Sequence, residues 1–312
     1  MSTTRLEQEG GYNLASSRSV STHRASRLTG VAFVIVTAIG WGLNWPATKY
    51  IILTCPPLSA RGVSGLTAAA FLFGIAVFRG ETLGVPPHLW TRLVMASLLN
   101  VSAWMGLTTA SMLWLPAGPA ATLAYTMPVW VTLLAWPVLS ERPTPRQIVA
   151  ILLGVAGVAV QLGGIDMRPD AATLPGVALA LSAATLFAAG TVLCKHAPIP
   201  LPRFALTAWQ ALLGSVPLLA AGLPLEHPHF SSMPAIAWLS LGYTALVSMG
   251  LCYVLWYSAI RRLKASHAAI GTLLTPVIGF TASLLVLGDR PNLSQAVSLA
   301  MVVGAIVFAV RD

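Results

Sequence analysis

The chain has 312 residues, of which 56% are hydrophobic and only 9% charged, with a net charge of +9. So few charges cannot cover a soluble globule of this length, and the mean hydropathy of +0.78 points to an integral membrane protein. The excess positive charge sits singly or in pairs between apolar runs, without a basic face interleaved with stacking aromatics, which excludes a nucleic-acid partner.

The apolar runs are about 18 to 25 residues long, the length of membrane-spanning helices; barrel strands would be nearer ten and would alternate strictly. Residues 1–28 are polar, rich in Ser, Thr and Arg, and lack a signal-peptide core, so they read as a disordered cytoplasmic tail. Ten helices follow, at 30–53, 58–78, 89–110, 117–139, 146–163, 174–195, 203–222, 234–260, 266–287 and 294–310. Short Pro- and Gly-rich turns such as Cys55-Pro56-Pro57 and Val85-Pro86-Pro87 separate them. Placing the tail in the cytoplasm puts 14 Lys and Arg residues inside and four outside, the four being Lys49, Arg61, Arg168 and Arg290. That asymmetry obeys the positive-inside rule with both termini cytoplasmic, in what reads as a bacterial inner membrane.

The segment from Ala120 to Pro143 occurs twice. Shifted by 148 positions, Ala120, Ala121, Pro128, Val129, Val138, Leu139, Arg142, Pro143, Gln147 and Val149 repeat at Ala268, Ala269, Pro276, Val277, Val286, Leu287, Arg290, Pro291, Gln295 and Val297, and Glu141 becomes Asp289. Ten identities in thirty gapless positions, where about three would arise by chance, indicate internal duplication. At an offset of 146, Gly30-Val31-Ala32 matches Gly176-Val177-Ala178, and Lys49 matches Lys195. The fold expected is all-α: a first five-helix unit at 29–163, an external linker at 164–173 and a second unit at 174–312. Five helices per unit is odd, so the second unit enters the membrane from the opposite side and the repeats are inverted, an architecture recurrent in secondary transporters.

All nine carboxylates fall in tails, loops or helix ends, so none is expected at the membrane midplane, where proton relays and cation counter-ions sit. Paired-carboxylate hydrolysis, metalloprotease, serine-hydrolase and phosphate-loop patterns are missing, so no catalytic residue and no cofactor is expected. Cys55, Cys194 and Cys252 are an odd set without ligand spacing, so no metal site is expected. Candidate substrate contacts are the polar and aromatic residues inside apolar runs: Trp41, Asn44 and Trp45 in the first helix, Asn100 and Trp104 in the third, and Tyr125 in the fourth. Trp209 and Gln210 in the seventh, Ser248 and Tyr253 in the eighth and Thr272 in the ninth complete the set. Asn44 and Asn100 also suit helix-to-helix hydrogen bonds, and Trp residues also suit the membrane interface. Pro128 and Pro276 lie mid-helix, where each should kink its helix and free the carbonyl four residues back, at Ala124 and Thr272. They are candidate hinges.

The motif Gly40-Trp41-Gly42-Leu43-Asn44-Trp45 and the doubled proline helix ending in Glu141-Arg142-Pro143 and Asp289-Arg290-Pro291 resemble the EamA family of the drug/metabolite transporter superfamily, over about residues 28–311. Within it, the aromatic-rich helices resemble the YddG-type exporters of aromatic and other neutral amino acids. The resemblance implies a secondary transporter of small neutral metabolites, working by alternating access through a central cavity, with membrane lipid and a small-molecule substrate as partners. Carriers of other metabolites or drugs, and a non-transporting membrane sensor or scaffold, are the alternative classes; oligomeric state is left open.

Overall fold

A computed structural model describes residues 3–111, 113–114, 123–161, 174–272 and 274–287, with positions 293, 297, 300, 301 and 304 beyond. The helices are α1 (Thr3–Ile52), α2 (Pro57–Phe78), α3 (Pro87–Ser111), α4 (Met127–Leu139) and α5 (Pro145–Gln161). They continue with α6 (Leu174–His196), α7 (Arg203–Glu226), α8 (Ala235–Ile260), α9 (Ala265–Gly271) and α10 (Leu274–Leu287). No strand occurs among the described residues. Six stretches are long and apolar enough to cross a membrane: Ser26–Ile52 within α1, and all of α2, α3, α6, α7 and α8. The chain is an integral membrane protein. The predicted linker and most of the predicted tenth helix lie outside the described residues.

Two differences from the sequence expectation concern helix continuity. The backbone of α1 runs back to Thr3 through the stretch expected to be disordered. That stretch contains no proline, and a helix already nucleated downstream propagates at little cost. The second difference is at the repeated prolines. Residues 123–124 are helical, Tyr125 and Thr126 form a turn, and α4 begins at Met127 with Pro128 in its first turn. In the same way α9 ends at Gly271, Thr272 is a turn, and α10 begins at Leu274 with Pro276 in its first turn. The prolines therefore start new helices instead of kinking old ones, because their missing N–H costs nothing where no intrahelical partner exists. The Thr272 carbonyl, expected to be free, accepts the Thr275 N–H at 2.9 Å.

Large apolar side chains face outward, as Phe78, Leu152, Leu239 and Leu285 do, while the buried set is rich in Ala, Gly, Ser and Thr. In lipid the outward face needs no cover, and small residues let helix backbones approach. The backbones of α2 and α7 approach closely: a methyl built on Gly62 would lie 2.6 Å from Leu219 Cβ and 2.8 Å from its backbone nitrogen. At the opposite ends of this antiparallel pair, carboxylates cap in trans. Glu226, closing α7, accepts the Leu58 and Ser59 N–H groups at 2.9 and 2.7 Å and the Ser59 hydroxyl at 2.7 Å. Glu81, just past α2, accepts the Phe204 and Ala205 N–H groups at 3.1 and 3.0 Å. These are orphan donors of helix starts, met by negative charge at the positive end of the dipole. Glu141 does likewise for α9, accepting the Ala265 N–H at 3.0 Å. Around the central pair, α1 packs against α8 and α10, and α6 against α3 and α4.

Candidate functional site

Two of the long helices widen locally. Residues Leu98–Ala103 of α3 and Thr244–Leu251 of α8 are π-helical. The segments correspond at an offset of 148, which pairs Asn100 with Ser248. Single π turns displace a carbonyl from its usual partner and are frequent at functional sites. Here the Ser248 carbonyl accepts Trp41 Nε1–H at 3.1 Å, and the Asn100 carbonyl accepts the Tyr253 hydroxyl at 3.0 Å. Each bulge thereby fixes an aromatic side chain of a shared wall.

That wall encloses a cavity whose empty space, open solvent at its mouth included, is about 860 Å³. Its aromatic floor is Trp41, Trp104, Phe187 and Tyr253, with Trp41 and Tyr253 centroids 5.6 Å apart and Trp104 and Phe187 4.8 Å apart. Both helix breaks open onto it, through Ala124, Tyr125 and Met127 on one side and Thr272 and Thr275 on the other. The lining is paired across the repeat. Trp41 and Phe187 are 146 positions apart; Met105 and Tyr253, Ala124 and Thr272, and Met127 and Thr275 are each 148 apart.

A polar ladder runs up one side. Thr244 Oγ1–H donates to Asn44 Oδ1 at 2.8 Å, Asn44 Nδ2–H to Thr48 Oγ1 at 3.2 Å, and Arg61 Nη2–H to the same Thr48 oxygen at 3.4 Å. A second cavity, sharing Thr48 and Arg61 with the first, lies between Ile52, Pro57 and Leu113 at that end of the bundle. At the opposite end Lys195 Nζ donates to the Ile260 carbonyl at 2.9 Å and to the Leu263 carbonyl, tying α6 to the turn after α8 beside the Glu141 cap.

Of the residues singled out in the sequence, Trp41, Asn44, Trp104, Tyr125, Ser248, Tyr253 and Thr272 meet around this cavity. Asn100 stands one layer behind, fully buried against Gly190, with Nδ2 donating to the Ala96 carbonyl at 3.1 Å. Gln210 accepts the Tyr257 hydroxyl in a separate small space near Cys194 and Arg261. Trp209 packs edge-on against Phe73 and Trp90, both centroids at 5.2 Å, and donates to the Leu83 carbonyl at 2.9 Å, away from the cavity. The side chains of Trp45 and Pro276 lie outside the described set; Pro128 is buried in the first turn of α4.

Sequence reasoning missed Phe187, Met105 and Met127, although the repeat offset applied to Trp41, Tyr253 and Thr275 reaches each of them. It also counted Arg61, inside the expected helix 58–78, only among the external charges. The structure puts Arg61 on the fifth residue of α2, lining the cavity. Among the described residues no group of three or more His, Cys, Asp or Glu side chains could hold a metal.

A helical membrane protein with an aromatic and polar cavity at two broken helices is the class that fold and site define. The EamA-like transporter family matches residues 28–162 and again 174–311. The chain belongs to that family. A Bacillus subtilis relative named "Uncharacterized transporter YvbV" is 30% identical over 281 residues, 88% of each chain. A Salmonella typhimurium relative named "Probable amino-acid metabolite efflux pump" is 28% identical, over 85% of this chain and 88% of its own. A Streptantibioticus cattleyicolor relative named "Probable terminal-alkyne amino-acid exporter" is 27% identical, over 88% and 90%. A solved crystal structure superposes with a TM-score of 0.78 at 18% identity, covering 92% of this chain and 97% of that one, a likeness of fold.

Proposed function

We propose that the protein is an exporter of small neutral metabolites, with aromatic and other neutral amino acids as its main substrates, working by alternating access. In this reading residues 29–163 and 174–312 are inverted five-helix repeats of a ten-helix bundle joined by an external linker. Both termini are cytoplasmic, in a bacterial inner membrane. The observation that carries it is a cavity walled by residue pairs from both repeats at the point where α4 and α10 begin. Broken helices at a repeat interface are where secondary transporters hold their substrates. Relatives named as amino-acid efflux pump and exporter support the substrate class. The substrate side chain lies against Trp41, Trp104, Phe187 and Tyr253, and the half-bundles rock about the helix breaks before Pro128 and Pro276. The described conformation reaches toward the Ile52 and Pro57 end, external in this topology, with the Lys195 and Glu141 contacts holding the cytoplasmic end together.

The test is uptake of labelled tryptophan, phenylalanine and threonine by liposomes carrying the purified protein and loaded with unlabelled substrate. Saturable uptake, competed by neutral amino acids and lowered at least about ten-fold by Trp41→Ala or Trp104→Ala, is expected. Uptake no greater than that of empty liposomes, from protein shown to be folded, sinks the substrate class.

A further inference from the structure

The cavity draws paired positions from both halves of the chain but is asymmetric in charge. Among the described residues Arg61 is its one charged side chain, and the position 146 further on is the uncharged Thr207. The carboxylates described in the structure are occupied elsewhere: Glu81, Glu141 and Glu226 all accept backbone N–H groups at helix starts. The hydrogen bond described for Arg61 is the one to Thr48, at 3.4 Å, which uses one of the five N–H donors of a guanidinium. A cation inside a membrane protein that faces a cavity without a carboxylate partner marks a place for a mobile anion.

Two further features surround the same space. The starts of α4, 13 residues long, and α10, 14 residues long, adjoin the cavity through Met127 and Thr275, so both helix dipoles present their positive ends there. Thr275, one of the lining residues, is only 2% exposed, and its buried hydroxyl has no hydrogen-bond partner among the described residues. A buried hydroxyl left unpaired is costly unless a ligand completes it.

We propose that Arg61 is the specificity-determining residue of this cavity and holds a carboxylate of the substrate, with Thr275 as a second hydrogen-bond donor and the aromatic floor taking the side chain. This rests on the cavity being the transport site, and it narrows that reading. The recognised group is the carboxylate, so small aromatic carboxylates are ligands whether or not they carry an amino group. Amines and carboxamides of the same shape are rejected, because the cavity offers a cation no acidic partner and leaves Arg61 without its anion.

Full-length protein in lipid nanodiscs tests this by its tryptophan fluorescence, since Trp41 and Trp104 line the cavity. The probes are 3-phenylpropionate, phenylalanine, phenylalanine amide and phenethylamine. The two carboxylates are expected to bind at least about ten-fold more tightly than the amide and the amine, the scale of one charge-assisted hydrogen bond. Arg61→Gln should abolish that discrimination, Arg61→Lys should restore part of it, and Thr275→Val should weaken both carboxylates about three-fold or more, with thermal unfolding reporting that each variant is folded. Should Arg61→Gln fail to fold, Arg61→Lys, Thr275→Val and the discrimination by the unsubstituted protein still decide. Amine or amide binding as tight as carboxylate binding, discrimination that survives folded Arg61→Gln, or binding of none of the four probes overturns the proposal. Binding of 3-phenylpropionate without phenylalanine upholds the anion site and sinks the amino-acid reading. Phenylalanine uptake by liposomes that Arg61→Gln leaves unchanged does the reverse.

Discussion

Replacing Glu226 by Ala removes three contacts at the start of α2, two to backbone N–H groups and one to the Ser59 hydroxyl. A lost helix cap costs about 0.5–2 kcal/mol, and charge-assisted bonds lie at the strong end. Three contacts to one half-buried carboxylate therefore put Glu226→Ala near 2 kcal/mol. Glu81→Ala removes two longer contacts and should cost about 1 kcal/mol; Glu141→Ala frees one N–H and should cost about 0.5 kcal/mol. At roughly 2–4 °C per kcal/mol for a protein of this size class, the Tm of Glu226→Ala in detergent should fall by roughly 4–8 °C. Glu226→Gln, which keeps the shape and loses the charge, should fall about half as far. The 22 residues of α2 separate the two caps of the pair by about 33 Å, so the Glu81→Ala and Glu226→Ala losses should add to within about 0.5 kcal/mol. Thermal unfolding of purified protein measures all of these. A Glu226→Ala midpoint within a degree of the parent, or above that of Glu141→Ala, would refute the account of trans capping.

Gly62→Ala should destabilise by about 1–3 kcal/mol, since its methyl would meet the Leu219 backbone, which cannot yield. On the same helix Gly74→Ala, with open space around it, should be neutral or gain about 0.4–1 kcal/mol; equal midpoints for the two variants would contradict the packing described. Trp209→Ala should destabilise the fold by about 3 kcal/mol, the low end for a lost aromatic because Trp209 is only partly buried, while leaving ligand affinity of the surviving folded protein unchanged. Burial first, and the nearby Glu226 carboxylate second, push the Cys55 thiol up, so it stays protonated at neutral pH. Maleimide labelling of a variant keeping only that cysteine should be slow at pH 7.5, and labelling as fast as that of a free thiol peptide would count against the burial.

The membrane class, the apolar helices and the doubled proline segment were legible because hydropathy and repetition are properties of consecutive residues. Trp41 and Trp104 were found by depth in an apolar run, but the same criterion also chose Trp209, which is partly buried against a different aromatic cluster. Depth alone does not report which face of a helix looks inward. Asn100 shows the same limit: it is as deep as Ser248, its repeat mate, yet the π turn directs its side chain to Gly190 while Ser248 reaches the cavity. Arg61 was hidden for a different reason: near the start of the expected helix 58–78 it entered only the count of external charges, and nothing in the local sequence shows that it turns to the cavity. The prolines were read from their position in a long apolar run, whereas their actual place depends on turns at Tyr125 and Thr272 that no strong breaker announces.

The caps at Glu81 and Glu226 limit how α2 and α7 can move against each other. Each carboxylate sits at or just past the end of its own helix and meets the start of the other. Sliding along the common axis in one direction pulls both carboxylates off their N–H groups together, and sliding in the other drives both into the helix starts. No displacement trades one cap for the other. A small twist of one helix about its own length costs far less, because the donors ring the helix start. The pair is stiff to a piston stroke and compliant to torsion, so any change of shape in this bundle should turn around α2 and α7 and leave their heights fixed.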